Sequence, residues 1–352
     1  MLRANAIGDF IFVLPAIRAL RETYPEAEIV YLGKPWHKSF LKSRPSDIDR
    51  VIVVPVSHGV REEIGIIEKK EEQEDFFKEI RKENFDLGVQ LHGGGKNSNP
   101  FLLGIGAKFN IGTKTPDAVE LDRWVPYIYY QSEILRYLEV AALVGARTAE
   151  IEPKLMATKE DRDEAIKAIE GVKDTLVVMH PGASDIRRQW PANNFAKIGD
   201  ELAEKGATIV LTGVDSEKDT TDTIMRMMRQ KAFNLNGKLS LGGMLGLLSL
   251  SDLVISNDTG PLHLAEAVGA KTVGIYWCGN LINAGPMTRT KHRPLLSWTI
   301  NCPICGYDVA KLGFPFYTKP LDCKHATSFV IDISVDEVKQ NAMELLNQKA
   351  AK

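Results

Sequence analysis

The sequence is poor in several features that would each point to a particular class of protein. It has four cysteines in 352 residues, too few for the disulfide framework of a small secreted protein. No apolar run approaches the ~20 residues that cross a membrane as a helix. No basic start precedes the apolar stretch near the N-terminus, as it would in a signal peptide. We therefore expect a cytoplasmic protein.

The sequence also lacks an excess of charge of either sign. Lys and Arg number 44 against 46 Asp and Glu, which gives a net charge of −2. This balance argues against a general electrostatic grip on nucleic acid, so we expect no nucleic-acid partner. Two common nucleotide-binding motifs are missing as well, the G-x-x-x-x-G-K-[ST] phosphate loop and a G-x-G-x-x-G after the first strand.

What the sequence does contain is an alternation of short apolar runs with amphipathic stretches. Runs such as "AEIVYLG", "TLVVMH" and "DLVISN" predict buried strands, and the segments between them predict helices. This pattern predicts an α/β fold. Charges cluster without a strand near residues 146–172. We therefore expect two doubly wound domains, 1–155 and 172–332, a C-terminal helix over 333–352, and a ligand cleft between the carboxyl ends of the strands.

The first candidate site residue lies in the loop "RANAIGDF". Gly8 permits a tight turn, and Asp9 stands at the start of the following helix. An Asp at this position is either a helix cap that satisfies free backbone N–H groups or a general base that faces the cleft. The residues themselves leave both interpretations open.

Two loops in the second half have features of an anion site. "HPGASDIRRQWP" (180–191) offers the Ser184 hydroxyl and two adjacent arginines, whose side chains cannot both point the same way. The alternative is an ordinary surface loop with stray charges. Small residues and Arg after a strand nevertheless make phosphate binding a reasonable expectation.

The second of these loops is "SNDTGPLHLAEAVG" (256–269). Thr259 and Gly260 begin a helix, and His263 stands in its first turn. A lone histidine is more often a half-buried residue satisfied by a neighbour. Because a diphosphate needs donors from more than one side, the two loops together predict a diphosphate site. Asp258 is interpreted as a turn residue, since a carboxylate would repel a diphosphate.

Two further loops give weaker signals. In "LTGVDSEKD" (211–219), Asp215 is either an acceptor for ribose hydroxyls or a helix cap. In "LHGGGKNSNPF" (91–101), Lys96 and Asn97 either contact the hydroxyls or phosphates of an acceptor substrate or belong to a plain loop.

Three of the cysteines and one histidine are grouped near the C-terminus. Cys302 and Cys305 form a C-x-x-C pair, and Cys323 and His325 follow later in the sequence. Three thiols and an imidazole match the ligand types of a structural zinc site. Free thiols or a disulfide are the alternatives.

Three motifs, "GDFIFVLPAIRALRETYP", "HPGASDIRRQWP" and "LVISNDTGPLHLAEAVGAKTVGIY", in this order and spacing, resemble glycosyltransferase family nine, the heptosyltransferases. The resemblance implies a GT-B fold of two Rossmann-like domains and an inverting transfer that requires no cofactor. It implies that Asp9 is the catalytic base, that Leu239 borders adenine and that Asp215 binds ribose. The residues that would bind the donor diphosphate are Ser184, Arg188, Thr259, Gly260 and His263.

The resemblance also implies the partners. The donor would be a nucleotide-diphosphate sugar, with ADP-heptose expected on the family alone. The acceptor would be a saccharide or a lipid-linked saccharide such as a lipopolysaccharide core. A lipid-linked acceptor would bring "PFLLGIGAKF" (100–109) to the inner membrane, although this stretch is more simply a buried helix.

Other functions remain open from the residues alone. A nucleotide-sugar epimerase or hydrolase would share this fold, as would a non-catalytic protein that binds nucleotide-sugars. One departure from the family concerns the first strand, because only Met1 and Leu2 precede Arg3. We therefore expect this strand to be short.

Overall fold

The computed structural model describes residues 1–170, 172, 175–308 and 325–348. The chain divides into two compact units, residues 1–153 and residues 154–352. Both units are α/β with parallel strands, as the alternating pattern predicts. Within the described residues, no helix combines the length and the apolar character that crossing a bilayer requires.

The elements of the first unit alternate along the chain. Its strands are β1 (Val30–Gly33), β2 (Arg50–Val53), β3 (Leu87–Val89), β4 (Phe109–Lys114) and β5 (Arg123–Pro126). Its helices are α1 (Ile7–Thr23), α2 (Pro35–Leu41), α3 (Lys70–Ile80), α4 (Ser98–Ile105) and α5 (Glu133–Ala142).

The start of the chain joins two small parallel sheets in this unit, β1–β2 and β3–β4–β5. Leu2 is fully buried and forms parallel bridges to Leu32 of β1 and to Gln90, which directly follows β3. The first strand is therefore short, as expected, because Leu2 alone forms β-bridges to the strands on its two sides. Counted with this segment as the first strand, the strand order is 3-2-1-4-5-6, the order of a Rossmann fold.

Helix α4 includes most of "PFLLGIGAKF" (100–109), the stretch for which the sequence analysis considered a contact with lipid. Phe101, Leu102 and Ile105 are buried in the core of the first unit together with Leu2 and Leu32. This confirms the simpler interpretation of the stretch as a buried helix.

The second unit contains strands β6 (Leu176–His180), β7 (Thr208–Leu211), β8 (Ala232–Asn234), β9 (Leu253–Asn257), β10 (Thr272–Trp277) and β11 (His292–Ser297). Its helices are α6 (Lys159–Ala168), α7 (Ala192–Ala203), α8 (Lys218–Met227), α9 (Leu241–Leu250), α10 (Gly260–Ala267), α11 (Cys278–Ala284) and α12 (Val335–Asn347).

The described strands of the second unit form one parallel sheet in the order β11–β10–β9–β6–β7–β8. Counted from β6, this is again the 3-2-1-4-5-6 order of a Rossmann fold. From β6, successive strands are added toward one edge of the sheet as far as β8, and from β9 they are added toward the other edge. The order of strands therefore reverses between β6 and β9. Open parallel sheets bind ligands beyond the carboxyl ends of the strands at this point, so the loops after β6 and β9 are the natural place for a site.

The helices at the two ends of this unit pack closely against it. In α12, Val338, Ala342 and Leu345 are buried in the same core as strands β6 and β9. Helix α6 lies within the charged segment where we expected the two domains to join. It packs against α9 so tightly that a Cβ on Gly246 would lie 2.0 Å from the Asp161 carbonyl oxygen. This close approach explains why α9 has a glycine there.

Candidate functional site

Asp9 lies in the first turn of α1, with its side chain 32% exposed. Its Oδ2 accepts a hydrogen bond from the backbone N–H of Ala6 at 3.1 Å, so it caps the helix from the third helical position. Its Oδ1 accepts a hydrogen bond from the Arg3 guanidinium at 2.5 Å. The carboxylate is therefore held by two donors and keeps an open side, which allows the capping and base interpretations to hold together.

Arg3, which fixes the Asp9 carboxylate, is itself buried in a network from three parts of the first unit. It donates to the Leu91 carbonyl oxygen at 2.6 Å and to the Tyr137 hydroxyl, and it lies 3.5 Å from a Glu133 carboxylate oxygen. Burial lowers the pKa of Arg3, but Tyr137 and Asp9 raise it above its usual range. Arg3 thus remains a cation that is balanced by two carboxylates.

Glu133 and Tyr137 are members of this site that the sequence did not reveal. They lie on α5, more than 100 residues from Asp9, and the Tyr137 hydroxyl donates to the Glu133 carboxylate. They belong to no motif, and their contribution depends on the packing of α5 against α1. Sequence reasoning had no signal that could have found them.

His92, three residues after the end of β3, is another residue near Asp9 that the sequence analysis did not single out. Its Nδ1 accepts a hydrogen bond from the Ala4 N–H at 3.3 Å. Burial and the nearby Arg3 charge lower the pKa of His92 to about 3. The ring is therefore neutral, and it supports the segment that leads to Asp9.

Buried hydrogen bonds shape the glycine-rich loop after β3. The Gln90 amide donates to the carbonyl oxygens of His92 and Gly93, at 3.0 and 3.3 Å. At the outer end of this loop, Lys96 is exposed and forms an ion pair with Asp117 at 3.0 Å. Asn97 immediately precedes α4. A role for Lys96 and Asn97 in acceptor binding stays a prediction.

In the second unit, the two adjacent arginines after β6 point in different directions, as their spacing predicts. Arg187 pairs with Asp185 at 2.6 Å. Arg188 donates to the Ser184 hydroxyl at 2.7 Å and lies 3.3 Å from Asp258 Oδ2. The cation next to the switch point is therefore Arg188.

Asn257, the buried last residue of β9, ties the 181–190 loop to this point. Its side-chain amide donates to the Pro181 carbonyl oxygen at 2.7 Å, and its Oδ1 accepts from the Trp190 N–H at 3.0 Å. One side chain thus binds both ends of the loop. This explains how Ser184 and Arg188 come to lie beside the start of α10.

Asp258 lies in the turn between β9 and α10, as predicted, and its side chain also has partners that the sequence did not reveal. Its carboxylate is buried and contacts His263 Nε2 at 3.1 Å on one oxygen and Arg188 and the Asn280 amide on the other. Burial raises the pKa of Asp258, but the hydrogen bond from His263 and the charges of His263 and Arg188 lower it below its ordinary value. Two cations, Arg188 and His263, therefore compensate the charge of this carboxylate.

His263 has a carboxylate at each ring nitrogen. Glu266 lies 3.2 Å from Nδ1, opposite the contact with Asp258. Burial lowers the pKa of His263, but the two carboxylates raise it to about 9, so the ring is a cation at neutral pH. Direct contact of His263 with the donor substrate stays a prediction. Its contacts favour an indirect role, in which His263 holds Asp258 in place.

The start of α10 presents backbone and hydroxyl donors. Thr259 is the N-cap, with extended backbone at φ −161°, and its side chain makes no capping hydrogen bond. Gly260 is the first helical residue, and Pro261 follows. The first N–H groups of a helix have no partner within it, and they favour an anion.

Of the two acids after β7, the structure places Glu217 nearer to the switch point than Asp215. Asp215 is exposed. Glu217 Oε2 lies 3.7 Å from His180 Nε2, and a Cβ on Gly182 would collide with the Glu217 carboxylate. Burial raises the pKa of Glu217. Leu239 is half-buried just before α9.

Three of the four residues of the predicted zinc site, Cys302, Cys305 and His325, lie close together. Donor atoms of Cys302, Cys305 and His325 all lie within 4.8 Å of one another. Cys323 lies outside the described residues.

Comparison with known proteins identifies the family. Residues 74–304 match the family model described as glycosyltransferase family 9 (heptosyltransferase). The chain belongs to glycosyltransferase family 9. It is therefore a glycosyltransferase, as the three motifs predict.

The relatives found in these comparisons are distant in sequence, and the solved structures among them are similar in fold. The chain is 22% identical to the lipopolysaccharide core heptosyltransferase OpsX of Haemophilus influenzae, over 81% of this chain and 80% of that protein. A family 9 structure from Veillonella parvula has a TM-score of 0.78 at 20% identity, covering 98% of this chain and 95% of that one. The ADP-heptose lipopolysaccharide heptosyltransferase II of Escherichia coli has a TM-score of 0.75 at 18% identity, covering 99% and 98%. These structures show the GT-B fold.

Proposed function

We propose that this glycosyltransferase moves a heptose, with inversion, from ADP-heptose to a saccharide acceptor such as a lipopolysaccharide core. The relatives named above supply the donor and acceptor classes, since one is named for the lipopolysaccharide core and one for ADP-heptose. The observation that carries the proposal is the donor-binding cluster of Ser184, Arg188, Asp258 and His263 at the switch point of the second sheet.

The charges of this cluster suit a diphosphate. Arg188 contacts Asp258, but His263 contacts the same carboxylate and is a cation. His263 also pairs with Glu266, so two cations alternate with two carboxylates, and Arg188 lies at the end of this chain of charges with its side chain 27% exposed. In the proposal the diphosphate lies over the start of α10, where Thr259, Gly260 and the helix N-terminus add donors. Glu217 then takes the ribose, in place of Asp215, and Leu239 borders the adenine.

The proposed chemistry is one displacement at the anomeric carbon. The acceptor hydroxyl oxygen forms a bond to that carbon while the bond from the carbon to the phosphate oxygen breaks. The acceptor proton passes to Asp9, and the electron pair leaves with the nucleoside diphosphate. Ser184 and Arg188 stabilise the charge that grows on the leaving group. No step of the proposed transfer uses a cofactor.

Replacing Asp9 with Asn tests this mechanism. Asn keeps the shape and can still accept a hydrogen bond from Ala6, but it cannot take the proton. General base catalysis contributes about 10²–10⁴-fold, so we expect kcat to fall at least about 100-fold. Thermal shift with ADP and ADP-heptose should be unchanged, because the proposed donor site lies in other residues. Transfer is followed by mass spectrometry of the acceptor.

The control is Asp47→Asn, which removes another carboxylate that pairs with an arginine, Arg18, at the surface of the first unit. It should retain full turnover. Retained turnover in Asp9→Asn would remove Asp9 as the base. Sugar isomerisation or hydrolysis without acceptor would favour the epimerase or hydrolase function. Donor binding with no transfer to any acceptor would favour a binding protein.

A further inference from the structure

The segment after β11 forms a closed loop that places two thiols together. The Cys302 N–H donates to the Tyr307 carbonyl oxygen at 2.7 Å, and the Gly306 N–H donates to the Cys302 carbonyl oxygen at 2.8 Å. Gly306 has φ +70°, a left-handed conformation that favours glycine. The glycine directly after the C-x-x-C pair therefore lets the chain turn back and brings Cys302 and Cys305 to one loop.

A histidine from 20 residues further along the chain completes a three-donor group. His325 Nδ1 lies 3.7 Å from Cys302 Sγ, and the donor atoms of Cys302, Cys305 and His325 all lie within 4.8 Å of one another. Ligands at zinc–sulfur and zinc–nitrogen distances in a tetrahedron are separated by about 3.6–3.8 Å. A thiol–imidazole hydrogen bond would account for Cys302 and His325, but it would leave the position of Cys305 unexplained.

We propose that Cys302, Cys305 and His325 bind one Zn²⁺ ion, with a further coordination position left for another donor. Thiolate and imidazole are the ligands of tetrahedral Zn²⁺ sites, and carboxylates, which Ca²⁺ and Mg²⁺ prefer, are absent from this group. Iron is the other ion that tetrahedral thiolate ligands commonly hold. The proposed sugar transfer uses none of these three residues.

The expected effect of the ion is structural. Four residues after His325, the Phe329 N–H donates to the Arg187 carbonyl oxygen at 2.7 Å, and the Ser297 hydroxyl donates to the Phe329 carbonyl oxygen. The segment that begins at His325 thus runs from the metal ligands to the loop that carries Arg188. An ion at Cys302 and Cys305 would fix the start of this segment.

Metal analysis of the full chain, purified without a polyhistidine tag or chelator, tests the proposal. Mass spectrometry of the metals should find about one zinc ion per chain, or about one iron ion if iron fills the site. The variants Cys305→Ser and His325→Ala should lower the metal content at least about fivefold, because each removes a ligand. Both residues are exposed, so neither substitution disturbs a core, and circular dichroism checks the fold.

The matched control is Cys278→Ser, which removes a buried thiol at the start of α11, outside the three-donor group. It should keep the full metal content. As a second measurement, Co²⁺ added to metal-free protein should give the absorption of thiolate bound to cobalt. Absence of zinc, iron and the cobalt signal from the wild-type chain would overturn the proposal, as would undiminished metal content in both ligand variants.

Discussion

Asp258 and His263 show how single residues at the second switch point depend on one another. Either side chain alone would be unfavourable when buried, because a charge that leaves water without a partner costs several kcal/mol. Together with Arg188 and Glu266 they form an alternating chain of charges, from guanidinium to carboxylate to imidazolium to carboxylate. This arrangement keeps Arg188 directed toward the start of α10.

The protonation of His263 predicts a pH dependence of stability. Its pKa in the folded chain is about 9, above the ordinary value of 6.5. The stabilisation is therefore complete below about pH 6.5 and is lost as pH rises through about 9. We expect the difference in unfolding free energy between wild type and His263→Asn to shrink between pH 6 and pH 9.5, measured by urea unfolding at about five pH values.

The control for this experiment is His58→Asn, since the His58 side chain is exposed and its contact is with a surface carboxylate, Glu62. An exposed pair of this kind contributes at most about 1 kcal/mol, so His58→Asn should have little effect at any pH. A wild-type advantage over His263→Asn that stays constant through pH 9.5 would show that His263 is not the cation we infer.

At the scale of elements, the short segment before α1 occupies the position of a central strand between β1 and β3. The Leu2 N–H donates to the Val89 carbonyl oxygen at 2.8 Å, and the Leu91 N–H donates to the Leu2 carbonyl oxygen at 3.1 Å. On the other side, the Arg3 N–H donates to the Leu32 carbonyl oxygen. These hydrogen bonds connect β1 and β3 through the segment that contains Leu2. They also place α1, and with it Asp9, beyond the carboxyl ends of these two strands.

We predict that Leu2→Ala destabilises the first unit strongly. The Leu2 side chain is fully buried between β1 and β3, and a buried leucine replaced by alanine costs about 2–5 kcal/mol. The matched control is Leu103→Ala on α4, whose side chain is exposed and should cost about 0.5 kcal/mol or less. Urea unfolding measures both. Equal losses for the two variants would contradict the central position of Leu2.

At the scale of the whole molecule, the same strand order occurs twice with different chemistry at its switch point. The first unit holds a partly exposed carboxylate, Asp9, against a buried cation. The second holds a partly exposed cation, Arg188, against a buried carboxylate. This contrast matches the proposed division of work, in which the first unit accepts a proton and the second binds a diphosphate.

This division predicts that substitutions in the second unit weaken donor binding, whereas the substitution of Asp9 in the first unit lowers kcat. Arg188→Ala should weaken donor binding about 10- to 100-fold, since a hydrogen bond to a charged group contributes about 1.5–3 kcal/mol. Arg187→Ala is the matched control, because Arg187 pairs with Asp185 instead. Calorimetric titration with ADP measures both variants. Equal weakening by the two substitutions, or none by Arg188→Ala, would contradict the assigned donor site.

The sequence by itself determined the fold class, the membership of the family and those strands that have a clear apolar run. Apolar periodicity is local, so "TLVVMH" and "DLVISN" identify β6 and β9 wherever they lie. Motifs are local as well, and they were enough to single out Asp9, Ser184 and Arg188. Neither signal carries information on which distant side chain will become a partner.

Only the tertiary structure decided the charges and contacts of the site. Arg3 meets Glu133 and Tyr137 because α5 packs on α1, and Arg188 meets Asp258 because Asn257 ties a loop to β9. Whether the Asp258 carboxylate is neutralised depends on its burial and on a cation, Arg188, that lies 70 residues away in the chain. These are long-range properties, and they arise when parallel strands bring their carboxyl ends to one edge of a sheet.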